Sequence, residues 1–375
     1  AIEFYSAWTD FSLPNAKFDL AAIPGRGGAM ENWGLLLFDE DRFLFDGESE
    51  GFYGVLESMN VICHELAHQW FGNLVTAIAW PEAAFNEGFA SFFEYKCIES
   101  LGQDSATLFQ TNVVPESKEV RVHFPGARQH ALEFDATSAV THPLIIERGG
   151  FDAIAYSKGA ALLAMFEESL GVDRFQKGVR ECLAENAYGS VSFFAFVGCV
   201  ADAADGSDPT WMAPFVYQSD FPLLDVEASP TGGDESVRVK ALNYSDVAQP
   251  WPSKVPVAYR RTDGEVASAW ITGEAELEAL GSVLNWKARG YYRVRYSPEL
   301  LKRVLGEPGA ELGRLSALAD AVALHKDGLF WDRAAIVDGM DQVASGMGAT
   351  VGNLSHDNES QWFRQQMLSM LKEQV

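Results

Sequence analysis

The sequence is organised around His64-Glu65-Leu66-Ala67-His68, which is followed after eighteen residues by Glu87. On a helix, His64 and His68 leave the same face one turn apart. Glu65 lies on the flank of that face, where it can reach a metal-bound water without ligating the metal. Glu87 would come from a second helix packed against the first. Two imidazoles, one carboxylate and an open fourth position are the ligand set of a catalytic zinc. The plainer alternative, a helix with two surface histidines, does not explain Glu87.

The flanking residues predict the helices that such a site needs. An apolar stripe at helical spacing runs into the motif: Val55, Met59, Ile62 and Leu66. Gly72-Asn73 predicts the end of this helix. A second helix is expected from about Asn86 to Ile98. Cys63 adjoins His64 but points about a quarter-turn away, so we interpret it as a small buried residue rather than a ligand.

A second motif lies upstream, where Gly28-Ala29-Met30-Glu31-Asn32 precedes the apolar run Leu35–Phe38. The run predicts a strand, and a strand beside a cleft can pair with an extended peptide. The α-amine of a peptide has a pKa of about 7.7–8 and is largely cationic at neutral pH. Glu31 can therefore bind that amine, although a lone carboxylate before a strand is usually just solvated.

These motifs resemble the zinc aminopeptidase N family, a group of gluzincin peptidases. The resemblance is carried by GAMEN at 28–32, HELAHQWFGNLVT at 64–76 and NEGFA at 86–90. FDAIAYSKGA at 151–160 is similar to the family's segment with its catalytic tyrosine. Residues 285–296 are similar to the signature of its β-sandwich domain. The likeness extends, in order, from about residue 1 to about residue 340.

The resemblance implies a role for each matching residue. Three ligands would hold one Zn2+ per chain: His64, His68 and Glu87. Glu65 would be the general base for the zinc-activated water, and Tyr156 would donate a hydrogen bond to the oxyanion. Five residues would bind the N-terminus of the peptide, with Glu31 as the anchor: Gly28, Ala29, Met30, Glu31 and Asn32.

The sequence also departs from the family pattern. Relatives carry an aromatic-rich segment where this chain has Ala79-Trp80-Pro81-Glu82-Ala83-Ala84-Phe85, which predicts thinner packing below that loop. Arg26-Gly27 replaces other residues ahead of GAMEN. The family begins with a sizeable β-rich domain and ends with a long helical one. We therefore expect a fragment that lacks the β-rich domain and most of the helical domain, or a reduced relative of the family.

The bulk composition limits the classes of function. A chain of 375 residues with 47% hydrophobic residues can form two or three domains. Because 28 basic residues face 53 acidic ones, for a net charge of −25, we expect no nucleic-acid partner. The sequence contains no run of eighteen uncharged apolar residues, so we expect no transmembrane segment in this chain. The four cysteines suit neither a disulfide scaffold nor a cysteine zinc site. The compartment stays open, since the parent protein could be cytoplasmic or an ectoenzyme.

The predicted fold is multidomain α+β. Residues 1–222 would form a thermolysin-like catalytic domain, 223–298 a small β-sandwich, and 299–375 the beginning of a helical, solenoid-like domain. The sandwich strands are expected at Val255–Tyr259, Val266–Ile271 and Tyr291–Tyr296. Helical spacing returns from about Pro298. A last amphipathic helix is predicted around five apolar residues: Trp362, Phe363, Met367, Leu368 and Leu371.

The leading functional hypothesis is a zinc aminopeptidase that acts on peptides with a free N-terminus. A zinc endopeptidase is the first alternative, and a carboxylate at Glu31 argues against it. A non-catalytic or weakly active peptide-binding relative is the second, although such a protein would be expected to have lost ligands or Glu65.

Overall fold

The computed structural model is a mixture of helices and strands, which confirms the coarse α+β prediction. It describes residues 1–15, 17–44, 51–104, 124–147, 150–204, 206, 208–229, 236–261, 263–278, 283–307, 310–330 and 332–351. The chain divides into two compact units. One comprises Ala1–Ala127 with His142–Thr210, and the other Arg128–Thr141 with the residues from Trp211 onward. The arrangement into three domains over 1–222, 223–298 and 299–375 stays a prediction.

The first unit begins with a small sheet that presents the Gly28–Asn32 motif at its edge. Its first elements are α1 (Ile2–Thr9), β1 (Asp19–Ile23), β2 (Ala29–Met30), β3 (Leu35–Asp39) and α2 (Glu40–Phe43). The strand order is β1-β3-β2, with β1 parallel and β2 antiparallel to β3. The expected strand at Leu35–Phe38 is thus present. Leu36 and Phe38 are fully buried on one face of this sheet.

Two long helices follow, as the apolar stripe predicted. The elements are α3 (Gly51–Ala67), β4 (Val75–Ala77), a 3-10 turn (Trp80–Glu82) and α4 (Ala83–Asp104), and they are followed by α5 (Phe124–Thr137), most of which belongs to the second unit. The predicted ends were wrong. Helix α3 stops at Ala67 because the chain then turns, with the Gly72 N–H donating to Val75 O at 2.8 Å. Helix α4 starts before Asn86 and continues beyond Ile98.

The rest of the first unit packs helices around α4. It contains a π-helical turn (Ile154–Lys158), α6 (Gly159–Leu170), α7 (Val172–Glu185), β5 (Gly189–Val191) and α8 (Phe193–Ala203). Strand β5 pairs in parallel with β4. Phe71, at the centre of an aromatic cluster, stacks on Phe93 at 4.5 Å and on Phe89 at 5.0 Å between ring centroids. This aromatic cluster forms part of the core of the first unit.

The four cysteines, which we expected to suit neither a disulfide scaffold nor a zinc site, pair in two disulfides, so Cys63 is buried as expected but is not a free thiol. Cys63 in α3 is bonded to Cys97 in α4, and Cys182 in α7 to Cys199 in α8. The Cα atoms of the two pairs are 6.2 and 5.9 Å apart, within the range that a disulfide spans. Helix packing creates both pairs, and the spacing of cysteines along the sequence does not reveal it.

The second unit contains two sheets and a group of helices. After a 3-10 turn (Pro209–Met212) come α9 (Ala213–Tyr217), β6 (Pro222–Ala228), β7 (Val237–Asn243), β8 (Val255–Arg260), β9 (Val266–Ile271), β10 (Glu274–Leu277), β11 (Val283–Leu284) and β12 (Arg293–Tyr296). The sheets have the orders β10-β7-β6-β12 and β11-β8-β9. All three expected strands are present, although β12 starts at Arg293 rather than Tyr291.

Helices close the described chain, as predicted from Pro298 onward. They are α10 (Pro298–Gly306), α11 (Glu311–Lys326) and α12 (Arg333–Val351). The amphipathic segment expected around Trp362 lies outside the described residues. Among the helices that the structure describes, none has the length and apolar character needed to cross a bilayer.

Candidate metal and peptide site

Three predicted ligands meet in the first unit. The Nε2 atom of His64 lies 3.1 Å from Nε2 of His68 and 3.3 Å from Oε2 of Glu87. Nε2 of His68 lies 3.4 Å from the same carboxylate oxygen. A tetrahedral zinc with bonds of about 2.0–2.2 Å separates its ligand atoms by about 3.3–3.6 Å. The donor set therefore fits zinc in both chemistry and spacing. No other three ligand-type side chains converge in this way within the described part of the chain.

The local fold explains why these side chains converge. His68 follows the last residue of α3, yet its N–H still donates to His64 O at 3.2 Å, so both imidazoles keep one helical face as predicted. Nδ1 of His68 donates to Phe71 O at 3.0 Å. This bond fixes the ring and directs Nε2 toward Glu87, which α4 supplies.

Opposite charges compensate one another inside this cluster. Burial lowers the pKa of both imidazoles, but hydrogen bonds to Glu87 raise it and are stronger in sum with the nearby carboxylate charges. The pKa of His64 therefore lies well above its ordinary value, and the pKa of His68 is also raised. Burial raises the pKa of Glu87, and its bonds to the two histidines overcome this and hold that pKa well below its usual range. The cluster thus presents a buried carboxylate beside two basic nitrogens.

Glu94 belongs to the site and was missed in the sequence. Its Oε2 lies 3.1 Å from Nδ1 of His64, opposite the nitrogen that faces Glu87. A partner of this kind fixes the orientation of a ligating histidine. The available signal was its spacing, because Glu94 is seven residues, or two helical turns, after Glu87 and lies on the same face of α4.

Glu65 is a buried acid next to the cluster. Its Oε2 has no hydrogen-bond partner among the residues that the structure describes. Burial raises the pKa of Glu65 to about 7, although the nearby His64 and His68 act in the opposite direction. A carboxyl group with a free oxygen and a near-neutral pKa can exchange protons with a bound water.

Tyr156 reaches the cluster from the π-helical turn. Its ring centroid is 5.7 Å from that of His64, and its hydroxyl interacts electrostatically with Glu87. Burial raises the pKa of Tyr156, and the charge of Glu87 raises it further. The hydroxyl consequently remains a proton donor at neutral pH.

A contact between two glycines lets Tyr156 approach. A Cβ atom added to Gly159 would lie 2.8 Å from the Cα of Gly88, and one added to Gly88 would lie 3.0 Å from the Cα of Gly159. Helix α4 and the start of α6 therefore cross backbone against backbone. This crossing lies next to Glu87 on one chain segment and close to Tyr156 on the other.

The GAMEN segment borders the same site. Ala29 and Met30 form β2, the edge strand of the described sheet, while Gly28 and Asn32 on either side are exposed. Glu31 is partly buried. Its carboxylate interacts electrostatically with Glu65, His68 and Tyr156. The structure thus brings the predicted anchor close to the predicted catalytic residues.

Comparison with known proteins finds relatives over most of this chain. Residues 1–212 match the peptidase family M1 domain. Aminopeptidase N from dog is 31% identical over 353 residues, which cover 86% of this chain and 35% of that protein. Human aminopeptidase N is 32% identical over 326 residues, which cover 81% of this chain and 33% of that protein. Mouse endoplasmic reticulum aminopeptidase 1 is 37% identical over 346 residues, covering 80% and 35%.

The chain belongs to peptidase family M1, a family of metallopeptidases. It spans about a third of the length of the curated relatives that it matches.

Proposed function

We propose that this chain carries the active site of a zinc-dependent aminopeptidase, which hydrolyses the N-terminal residue from peptides. The observation that carries the proposal is the position of Glu31 beside the three candidate zinc ligands, since its backbone carbonyl accepts a hydrogen bond at 2.8 Å from Gln69, the residue after His68. A carboxylate at that point would attract the cationic amine of a free N-terminus. It therefore selects the first residue of a peptide for cleavage.

His64, His68 and Glu87 would hold the metal. When bound in such a set, zinc acts as a Lewis acid that polarises a carbonyl group and lowers the pKa of water. The remaining requirements are proton transfer, stabilisation of the oxyanion and orientation of the peptide, and other side chains of the site can meet them.

Glu65 would serve as the general base. Its buried carboxyl group, with one free oxygen and a pKa of about 7, accepts a proton from the attacking water. It then gives that proton to the leaving nitrogen of the peptide. A pKa near the working pH suits a group that must perform both transfers.

Tyr156 would stabilise the oxyanion. Its raised pKa keeps the hydroxyl protonated, so it can donate a hydrogen bond to the negative charge that develops on the carbonyl oxygen. One positioned donor of this kind contributes about 10²–10³ in rate.

Two alternatives are less well supported. An endopeptidase must accept uncharged chain on the amine side of the scissile bond, where the carboxylate of Glu31 would be left without a partner. A non-catalytic peptide-binding relative has no use for a buried carboxyl group like that of Glu65 beside a metal site. The names of two relatives, aminopeptidase N and endoplasmic reticulum aminopeptidase 1, also favour exopeptidase activity.

The decisive experiment compares a peptide with its N-acetylated twin, with and without a metal chelator. We expect cleavage of the free peptide alone, loss of activity in chelator and recovery on addition of Zn2+. Glu65→Gln should retain the metal and lose turnover, because Glu65 is not a ligand.

Equal cleavage of both peptides would refute the exopeptidase proposal. Activity that is indifferent to chelator would refute the zinc proposal. Metal-dependent peptide binding without cleavage would favour the non-catalytic alternative.

A further inference from the structure

We propose that Gln69 and Asn73 are positioning residues that fix Glu31 and thereby set the preference for free amines; this inference rests on the proposed function. The amide nitrogen of Gln69 donates to the backbone carbonyl of Glu31 at 2.8 Å. The amide nitrogen of Asn73 donates to the same carbonyl at 2.7 Å. Two donors use both lone pairs of one oxygen. The carbonyl of the anchor residue is therefore held from two sides.

Glu31 needs this support because the sheet does not extend to it. The last pair between β2 and β3 joins Met30 to Leu37, so Glu31 lies one residue beyond the strand. Asn32, the next residue, is exposed. The two side-chain amides therefore replace the hydrogen bonds of the β-sheet at Glu31, the proposed anchor.

The support comes from the metal-binding segment itself. Gln69 directly follows His68 and is fully buried, and its Nε2 also lies 3.4 Å from Glu65 O. The backbone N–H of Asn73 donates to His68 O at 2.9 Å. Both amides are thus fixed to the turn that carries the second histidine. They set the distance between the metal ligands and the backbone of Glu31.

The consequence is a link between metal and amine recognition. A peptide must place its ammonium on Glu31 and its first carbonyl at the metal, so an error in the spacing weakens both contacts at once. Without the amides, Glu31 would keep its charge but lose its fixed position. We expect the ratio of kcat/KM for free over acetylated peptide to fall about tenfold, mainly through KM for the free peptide.

The test uses Gln69→Met and Asn73→Leu, which remove the donors with little change in volume. Glu31→Gln serves as the reference. Thr76→Val is the matched control, because Thr76 and Asn73 line one pocket of 460 Å³, but the Thr76 hydroxyl donates to Gly72 O rather than to Glu31. Zinc content and Tm are measured for every variant.

The double variant Glu31→Gln/Asn73→Leu then separates a positioning role from a general loss of structure. We expect a lower ratio of free over acetylated peptide in Gln69→Met and in Asn73→Leu, and an unchanged ratio in Thr76→Val. Every variant should retain zinc. Adding Asn73→Leu to Glu31→Gln should not lower the ratio further.

A lower ratio in Glu31→Gln alone, with both amide variants unchanged, would overturn this inference and leave the proposed function standing. An additive effect in the double variant would also overturn it, because the amides would then act elsewhere. An unchanged ratio in Glu31→Gln would refute the anchor role and, with it, this inference. If the buried Gln69→Met variant fails to fold, the partly exposed Asn73→Leu decides alone.

Discussion

At the scale of single residues, the orientation of His64 depends on both of its ring nitrogens. Nδ1 faces the carboxylate of Glu94 at 3.1 Å, and a carboxylate accepts hydrogen bonds only. Nδ1 therefore carries a proton. Nε2 faces His68 and Glu87, where a metal can replace its proton. Glu94 would thus determine which nitrogen of His64 serves as the proposed ligand.

We predict that Glu94→Gln weakens metal binding by about 10- to 100-fold, the usual effect of removing such a partner. The amide can accept a bond from His64, but it lacks the charge that makes the ring more basic. Competition with a chelator measures the affinity. Glu57→Gln, an exposed site on α3, is the matched change of charge. Equal metal affinity in both variants would contradict the role of Glu94.

Removing one hydroxyl tests the oxyanion role of Tyr156. Tyr156→Phe should lower kcat by about 10²–10³ with little change in KM, because the hydroxyl serves the transition state. Zinc should remain bound. Tyr188→Phe, at a site that is 67% exposed, controls for the loss of a phenol. A wild-type kcat in folded, zinc-loaded Tyr156→Phe would assign this tyrosine to packing alone.

At the scale of secondary-structure elements, the site depends on the crossing of α4 with the start of α6. Gly88 and Gly159 approach so closely that a methyl group on either would contact the other's backbone. Backbone cannot move aside as the end of a flexible side chain can. The absence of these two side chains therefore fixes the distance from Tyr156 to Glu87.

Gly159→Ala should move the two elements apart. We expect a fall in kcat of about tenfold or more and a loss of stability of about 1–3 kcal/mol, as overpacking usually causes. Gly198→Ala, inside α8, is the matched control, because a methyl group there meets no atom within 4 Å among the described residues. Kinetics and thermal unfolding of the two variants check the prediction. Equal kcat values would mean that the crossing does not position Tyr156.

The same elements show what the sequence can predict. Helical period and motif spacing located α3, α4 and the meeting of His64, His68 and Glu87, since the three candidate ligands lie within 24 residues of sequence. The end of α3 was misjudged because a turn at Gly72, closed by a bond to Val75, competes with the helix. Glu94 was missed because its partner His64 is 30 residues away on another helix. The contact of Gly88 with Gly159 likewise depends on tertiary packing, which no local pattern encodes.

At the scale of the whole molecule, two disulfides connect helices of the first unit. One joins α3 to α4, the two helices of the candidate metal site, through Cys63 and Cys97. The other joins α7 to α8, which carry none of the proposed site residues. Such bonds persist in oxidising compartments. The first disulfide therefore connects helices that carry candidate metal ligands, whereas the second connects helices without proposed site residues.

This difference gives a prediction with an internal control. Replacing Cys182 and Cys199 by Ala should destabilise the protein by about 3 kcal/mol, the value for a loop of about this length, and leave the affinity for zinc unchanged. Replacing Cys63 and Cys97 should lower both stability and zinc affinity, because Cys63 adjoins His64 and Cys97 is on the helix of Glu87. Thermal unfolding and chelator competition separate the two effects. Alkylation of the unreduced, denatured protein should modify no cysteine, and modification of all four would show that neither bond forms.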